Sequence, residues 1–192
     1  MTRRRYAIAT AIAASAFAAA FVAIAIAKPL PRLIWNASAS APIGLYRIQP
    51  DRDPPAGALV AVTPPNSLAR WLSARGYLPE GVPLLKHVAA KAGQRVCRTG
   101  AVVSIDARPV AIAQTRDRRG RPLPVWRGCR RLAANELLLL NPAVPDSLDG
   151  RYFGPLLVSA VIGRATPLHL RAPSQTPSTP EAKEIGRDNE HL

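Results

Sequence analysis

The feature that most limits what this chain can fold into is the run from Tyr6 to Ala27, 22 residues without a charge, preceded by Thr2-Arg3-Arg4-Arg5. As a helix rising 1.5 Å per residue it reaches roughly 33 Å, enough to cross a hydrocarbon layer of about 30 Å. Arginines on its N-terminal side hold residues 1–5 in the cytoplasm and place the remainder across the membrane. The rival is a cleavable signal peptide, because Ala25-Ile26-Ala27 is a small-x-small cleavage site. The apolar core of such a peptide normally runs about 7–15 residues. This run is longer, which favours a retained anchor over residues 6–27.

The rest of the 192 residues has room for one domain. Residues 28–35 read as a connector, since Pro29 and Pro31 cannot continue a helix. From 36 to 171 the text is short apolar runs bounded by glycine, proline and polar residues, the pattern of a sheet-rich domain. Strands are expected at 45–48, 58–62, 84–90, 101–105, 109–113, 136–140 and 158–163. One helix is expected, Asn66 to Gly76, capped by Asn66 or Ser67, with Leu68 and Leu72 on one face. Residues 172–192 hold Pro, Ser, Thr and charge with little to bury, and read as a disordered tail.

A net charge of +14 raises nucleic acid as a partner, and the distribution argues against it. Of 26 basic residues 22 are arginine, spread along the chain, and no aromatics interleave with a basic run as a base-stacking surface requires. The densest stretch, Arg116 to Arg121, contains Asp117 and Gly120 and reads as a solvated hairpin loop. Anionic lipid head groups are the natural partner for such charge beside an anchor. The two cysteines, Cys97 and Cys129, form a disulfide in an oxidising compartment, contributing on the order of 3 kcal/mol, or remain as two structural thiols. With no C-x-x-C and only scattered histidines, a redox motif or zinc site has little support.

Chemistry concentrates in three stretches. Ser38 and Ser40 stand two apart, so in an extended segment both hydroxyls point the same way. Ser38 can then meet the oxyanion that forms when Ser40 attacks a carbonyl, with the Ser40 N–H as second donor. The plain alternative is a polar linker behind the anchor. Lys86, one of four lysines, lies in an apolar strand facing the same way as Leu84, Val88 and Ala90. Burial would lower its pKa from about 10.4 and let the amine act as a base, although a lysine on such a face more often snorkels to water. The third stretch, Asp146 to Pro155, is a compact polar turn in which Asp149 and Arg151 can pair while Ser147 stays free to meet an amine.

Together these stretches resemble the signal peptidase family that works with a Ser/Lys dyad, and most closely its conjugative-transfer, TraF-type branch. Ser40-Ala41-Pro42-Ile43-Gly44-Leu45-Tyr46 is similar to the branch's S-x-P-x-G-L-Y box. Leu85-Lys86-His87-Val88-Ala89 with Gly93-Gln94-Arg95-Val96-Cys97 resembles the lysine strand and its P-G-D-x-V turn. Ser147-Leu148-Asp149-Gly150-Arg151-Tyr152-Phe153-Gly154 resembles the closing S-x-D-S-R-Y-W/F-G box. The resemblance implies a mostly antiparallel β domain behind one transmembrane helix, anchored in the inner membrane with its catalytic domain in the periplasm. It implies Ser40 as nucleophile, Lys86 as general base, Ser38 as oxyanion donor, Ser147 as the hydroxyl that orients the lysine, and Asp149 with Arg151 as a structural ion pair. No metal or organic cofactor is implied. The implied partner is an exported pilin-like or signal-peptide-bearing precursor, cleaved or cyclised. Two departures stand at supporting positions: Gly150 replaces a frequent serine, and Ala92-Gly93-Gln94 replaces Pro-Gly-Asp. The alternatives are a general secretory signal peptidase I and an inert anchored protein of a secretion or mating apparatus.

Overall fold

The computed structural model describes residues 3–27 and 30–171. Arg3–Ala27 forms one helix, α1, with no residue buried, long and apolar enough to cross a membrane. Eleven strands follow: β1 Leu33–Asn36, β2 Gly44–Gln49, β3 Leu59–Val62, β4 Leu84–Ala90, β5 Arg95–Thr99, β6 Val102–Ile105, β7 Arg108–Ile112, β8 Gly128–Arg131, β9 Glu136–Leu140, β10 Leu156–Leu157 and β11 Val161–Leu170. Two short helices join them, α2 Asn66–Ala74 and α3 Gly150–Phe153. The architecture is mostly antiparallel β behind an apolar N-terminal helix, as the sequence implied.

The strands make two sheets, one in the order β1-β2-β11-β3-β4-β9-β10 and one in the order β7-β6-β5-β8, with every pairing antiparallel. The sheets share a core in which Ala90, Leu138 and Leu140 of the larger meet Val96, Val103 and Ile105 of the smaller. β4 lies inside the larger sheet between β3 and β9, so both of its backbone edges are paired, and Leu85, Lys86, Val88 and Ala90 along it are buried. That central place makes a buried lysine possible.

Several expectations need correction. The connector 28–35 is too long, because its last three residues belong to β1, which pairs with β2 from Leu33↔Arg47 to Asn36↔Gly44. Neither Asn66 nor Ser67 caps α2; Pro65 holds the cap position without a side-chain bond, and its carbonyl accepts the Ala69 N–H at 2.8 Å. Residues 158–160 form a 3₁₀ turn, and the last strand starts at Val161 and continues to Leu170. Ala90 leaves the face it was expected to share with Lys86 and Val88, because the β4–β9 register shifts between Val88 and Ala90 and the two enter different clusters. β5 and β8 were not anticipated as strands; β8 is exposed throughout and offers no alternation to read. Cys97 and Cys129 are register partners on β5 and β8 and are joined as a disulfide. The tail 172–192 lies outside the described residues.

Both departures from the family boxes have a local reason. Gln94 closes its turn with a side chain: Oε1 accepts the Lys91 N–H at 2.9 Å and Nε2 donates to Asp106 at 2.9 Å. At Gly150 a Cβ would stand 2.7 Å from Leu138 Cδ1 and 2.8 Å from the Leu139 carbonyl, so a serine there requires β9 to move.

Candidate active site

Ser38 and Ser40 are not on an extended segment, as expected, but in the tight turn between β1 and β2. Their hydroxyls meet all the same, with the two Oγ atoms 3.0 Å apart. Asn36, the last residue of β1, builds this turn. Its Nδ2 donates to the carbonyls of Ser38 (2.9 Å), Ala41 (3.0 Å) and Pro42 (3.0 Å), and its Oδ1 accepts from the Ser38 N–H and Oγ, both at 3.1 Å. Tyr46 Oη adds a bond to the Pro42 carbonyl at 2.6 Å. Gly44 then lets the chain return, because a Cβ at this positive-φ position would sit 2.2 Å from the His169 carbonyl on β11.

Lys86 stands on β4 opposite Val60 and is only 3% exposed. It does not snorkel. Its Nζ donates to Ser147 Oγ at 2.9 Å. Burial pulls its pKa from 10.5 down to about 8; the Asp149 carboxylate opposes that shift and the Arg151 guanidinium assists it. A sizeable fraction of the amine is therefore neutral just above neutral pH, which is what a general base requires.

Ser147 is held by the Asp149–Arg151 pair, both members almost fully buried, with Arg151 Nε on Asp149 Oδ1 at 2.9 Å. Asp149 caps α3 by accepting the Arg151 N–H at 3.0 Å. Arg151 uses its remaining donors on the loop before it, reaching the carbonyls of Val144 (2.7 Å), Pro145 (3.1 Å) and Ser147 (3.0 Å). A second buried arginine, Arg98, donates to the Arg151 carbonyl at 2.5 Å. A charge pair this deep gains little net stability, but removing one member strands the other. Its product is a loop of one shape, with Ser147 aimed at Lys86.

Asn141 was not singled out from the sequence, and it ties the serine turn to the lysine strand. β9 ends at Leu140, so beside Lys86 the side-chain amide of Asn141 replaces the next backbone pairing. Its Nδ2 donates to the Leu85 carbonyl at 3.0 Å, and its Oδ1 accepts the His87 N–H at 3.2 Å. The same Nδ2 donates to the carbonyl of Ser40, and the Asn141 N–H donates to Asp149 at 2.9 Å. One amide thus fixes the backbone of the serine against the residues on either side of the lysine. Asn36 was also passed over. The available signals were slight, a polar residue ending each of two apolar runs, Leu33-Ile34-Trp35 and Leu137 to Leu140.

Ser38, Ser40, Lys86 and Ser147 line one cavity of about 360 Å³. No hydrogen bond joins Ser40 to Lys86 among the described residues; each is bonded to a second serine instead. A second cavity of about 1300 Å³, walled mainly by apolar groups such as Pro42, Ile43, Val88 and Leu140, also borders Ser40. The arrangement has the parts for acyl transfer: a hydroxyl, a desolvated amine, a neighbouring hydroxyl donor and an apolar trough beside the reacting position.

Comparison with known proteins identifies the family. The family model described as signal peptidase, peptidase S26, matches residues 3–169. A probable conjugal transfer protein TraF of Sinorhizobium fredii is 36% identical over 148 residues, covering 72% of this chain and 77% of its own. The conjugal transfer protein TraF of Agrobacterium fabrum is 36% identical over 69% of this chain and 80% of its own, and a plasmid transfer protein TraF of Escherichia coli is 32% identical over 66% and 77%. A crystal structure of a signal peptidase I from Enterococcus faecalis V583 aligns more loosely, at 15% identity and a TM-score of 0.35 over 59% of this chain and 97% of its own. The chain belongs to the signal peptidase family, peptidase S26, in its TraF-type branch.

Proposed function

We propose that the chain is a membrane-anchored serine endopeptidase that processes an exported pilin-like precursor in conjugative transfer. Ser40 is the nucleophile and Lys86 the base. α1, the one candidate span among the described residues, crosses the inner membrane, and the β domain lies on its periplasmic side. The observation that carries the reading is Lys86, an amine 3% exposed, with its pKa lowered to about 8, lining the same cavity as Ser40. The conjugation setting is supported by the relatives, which are named for conjugal or plasmid transfer.

When substrate enters, the Ser40 hydroxyl turns from Ser38 to Lys86; apo hydrogen bonds in such sites often tighten only in the complex. Ser40 Oγ attacks the scissile carbonyl as its proton passes to the neutral amine. Ser38 Oγ turns its one hydrogen from Asn36 Oδ1 to the oxyanion and donates to it. The Lys86 ammonium then protonates the leaving amine, and an acyl-enzyme ester remains. Water attacking the ester releases a linear product; an amine of the same chain releases a ring. In either case the attacking group's proton returns through Lys86 to Ser40.

The test is intact mass of a co-expressed pilin precursor with wild type and Ser40→Ala. Loss of a terminal segment with wild type alone supports the reading, and a product lighter than the linear one by one water identifies ring closure. An unprocessed precursor in both cases, with secretory leaders cleaved by wild type, assigns the chain to general secretion. No cleavage of either class refutes the enzyme.

A further inference from the structure

The two cavities meet at Ser40, and they differ in chemistry. Lys86 lines the smaller and not the larger. The group that takes the Ser40 proton must hand it to the leaving amine, so the departing segment lies on the Lys86 side. The larger, apolar cavity is left for the acyl segment.

One wall of the smaller cavity is the hairpin around Arg116–Arg121, which the sequence suggested was a solvated loop. It is fastened to the site. Asp117 Oδ1 accepts the N–H groups of Arg119 (2.9 Å) and Arg121 (2.8 Å), and Oδ2 accepts Arg121 Nε (2.7 Å) and the Tyr77 hydroxyl. Burial pushes the Asp117 carboxyl up, and these bonds overcome that and hold it well below the usual carboxylate range. Arg121 and Arg75 then clasp each other's neighbours: Arg121 Nη1 donates to the Arg75 carbonyl at 2.9 Å and Arg75 Nη1 to the Pro122 carbonyl at 2.7 Å. The tip is therefore presented in one place.

At that tip the charges do not balance. Arg121 is matched by Asp117, and Arg118 by Asp146. Arg119 lines the cavity with no carboxylate partner among the described residues. With Lys86 neutral, the wall keeps one positive charge facing the departing segment. We infer that Arg119 is a specificity site that binds a carboxylate on the leaving segment, either an acidic side chain or the segment's own terminal carboxylate. This rests on the peptidase reading above.

The probes are peptides with an Ala-x-Ala stretch, the small-x-small pattern, before the cleaved bond and a short leaving segment carrying Glu or Gln. Each is made as free acid and as C-terminal amide, and cleavage is followed by mass in neutral detergent with the full-length protein. Wild type should cleave a carboxylate-bearing peptide about tenfold faster in kcat/KM than the Gln amide. The Glu amide and the Gln acid tell which carboxylate is read. Arg119→Gln should remove the preference, Arg119→Glu should turn it toward a lysine-bearing segment, and Arg108→Gln, one charge fewer on exposed β7, should keep it. Equal rates for all four peptides with wild type overturn the site and leave the peptidase standing. A loss in Arg119→Gln that is equal for all peptides and seen only with anionic lipid vesicles also overturns it, in favour of lipid contact. No cleavage of any peptide by wild type overturns both.

Discussion

Replacing Lys86 with methionine should abolish activity and yet stabilise the protein at neutral pH. The ammonium is buried at 3% exposure, and the fall of its pKa from 10.5 to about 8 corresponds to about 3 kcal/mol held against folding. The sign follows from proton counting. Between the two pKa values the unfolded chain binds more protons than the folded one, so wild-type stability rises with pH through that window. The penalty is complete below about pH 8 and gone above 10.5. Methionine fills a similar volume without charge, but it removes the 2.9 Å bond to Ser147 and strands a buried hydroxyl, a loss of about 1–2 kcal/mol. Lys86→Met should therefore gain about 1–2 kcal/mol at pH 7, a rise of roughly 3–6 °C in Tm for a domain of this size. By pH 10 the remaining penalty is about 1 kcal/mol and the gain should vanish or reverse. Thermal unfolding of both proteins in the same detergent, followed by tryptophan fluorescence at pH 7 and pH 10, measures the difference directly. A stability difference that does not change with pH would refute a desolvated ammonium at this position.

Three further outcomes are expected. The plot of log kcat/KM against pH should rise with unit slope and level near pH 8, the folded pKa of Lys86; a limb levelling near 6.5 would assign the base to a histidine instead. Ser38→Ala should lower kcat by roughly 10²–10³-fold with the fold intact, and an unchanged kcat would make Ser38 a turn residue only. Arg151→Ala should cost about 3–5 kcal/mol, because Asp149 is left charged and buried and the carbonyls of residues 144–147 lose their donor; a loss under about 1 kcal/mol in urea unfolding would mean the loop keeps its shape without the pair.

The strands with clean apolar content were legible: β4 and β9 stand where the sequence placed them, and those expected at 45–48, 58–62, 101–105 and 109–113 are off by one residue at one or both ends. β1 was hidden because a proline-flanked stretch after an anchor reads as a connector, and only its pairing with β2 makes Leu33–Asn36 a strand. β8 has four exposed residues and owes its place to β5 across the cysteine pair. In the site, the hydroxyls and the lysine stood out because their chemistry is carried by residue type. Asn36 and Asn141 act through the carbonyls their amides reach, and carbonyl positions belong to the fold rather than to the residue string. The same holds for the hairpin of residues 116–122, whose charges were visible but whose neighbour across the cavity was not.

The two amides that shape the site also differ in how they age. Asparagine converts to aspartate when the nitrogen of the following residue attacks the side-chain carbonyl, and a following proline has no N–H to form that ring. Asn141 precedes Pro142, so the amide joining the serine turn to the lysine strand is chemically protected. Asn36 precedes Ala37 and has no such shield beyond its own closed hydrogen bonds. An aspartate at 36 would turn a carboxylate toward the carbonyls of Ser38, Ala41 and Pro42, and the turn holding the nucleophile would open. Old molecules of this protein should lose activity from the side of Ser40 while the lysine half of the site is still intact.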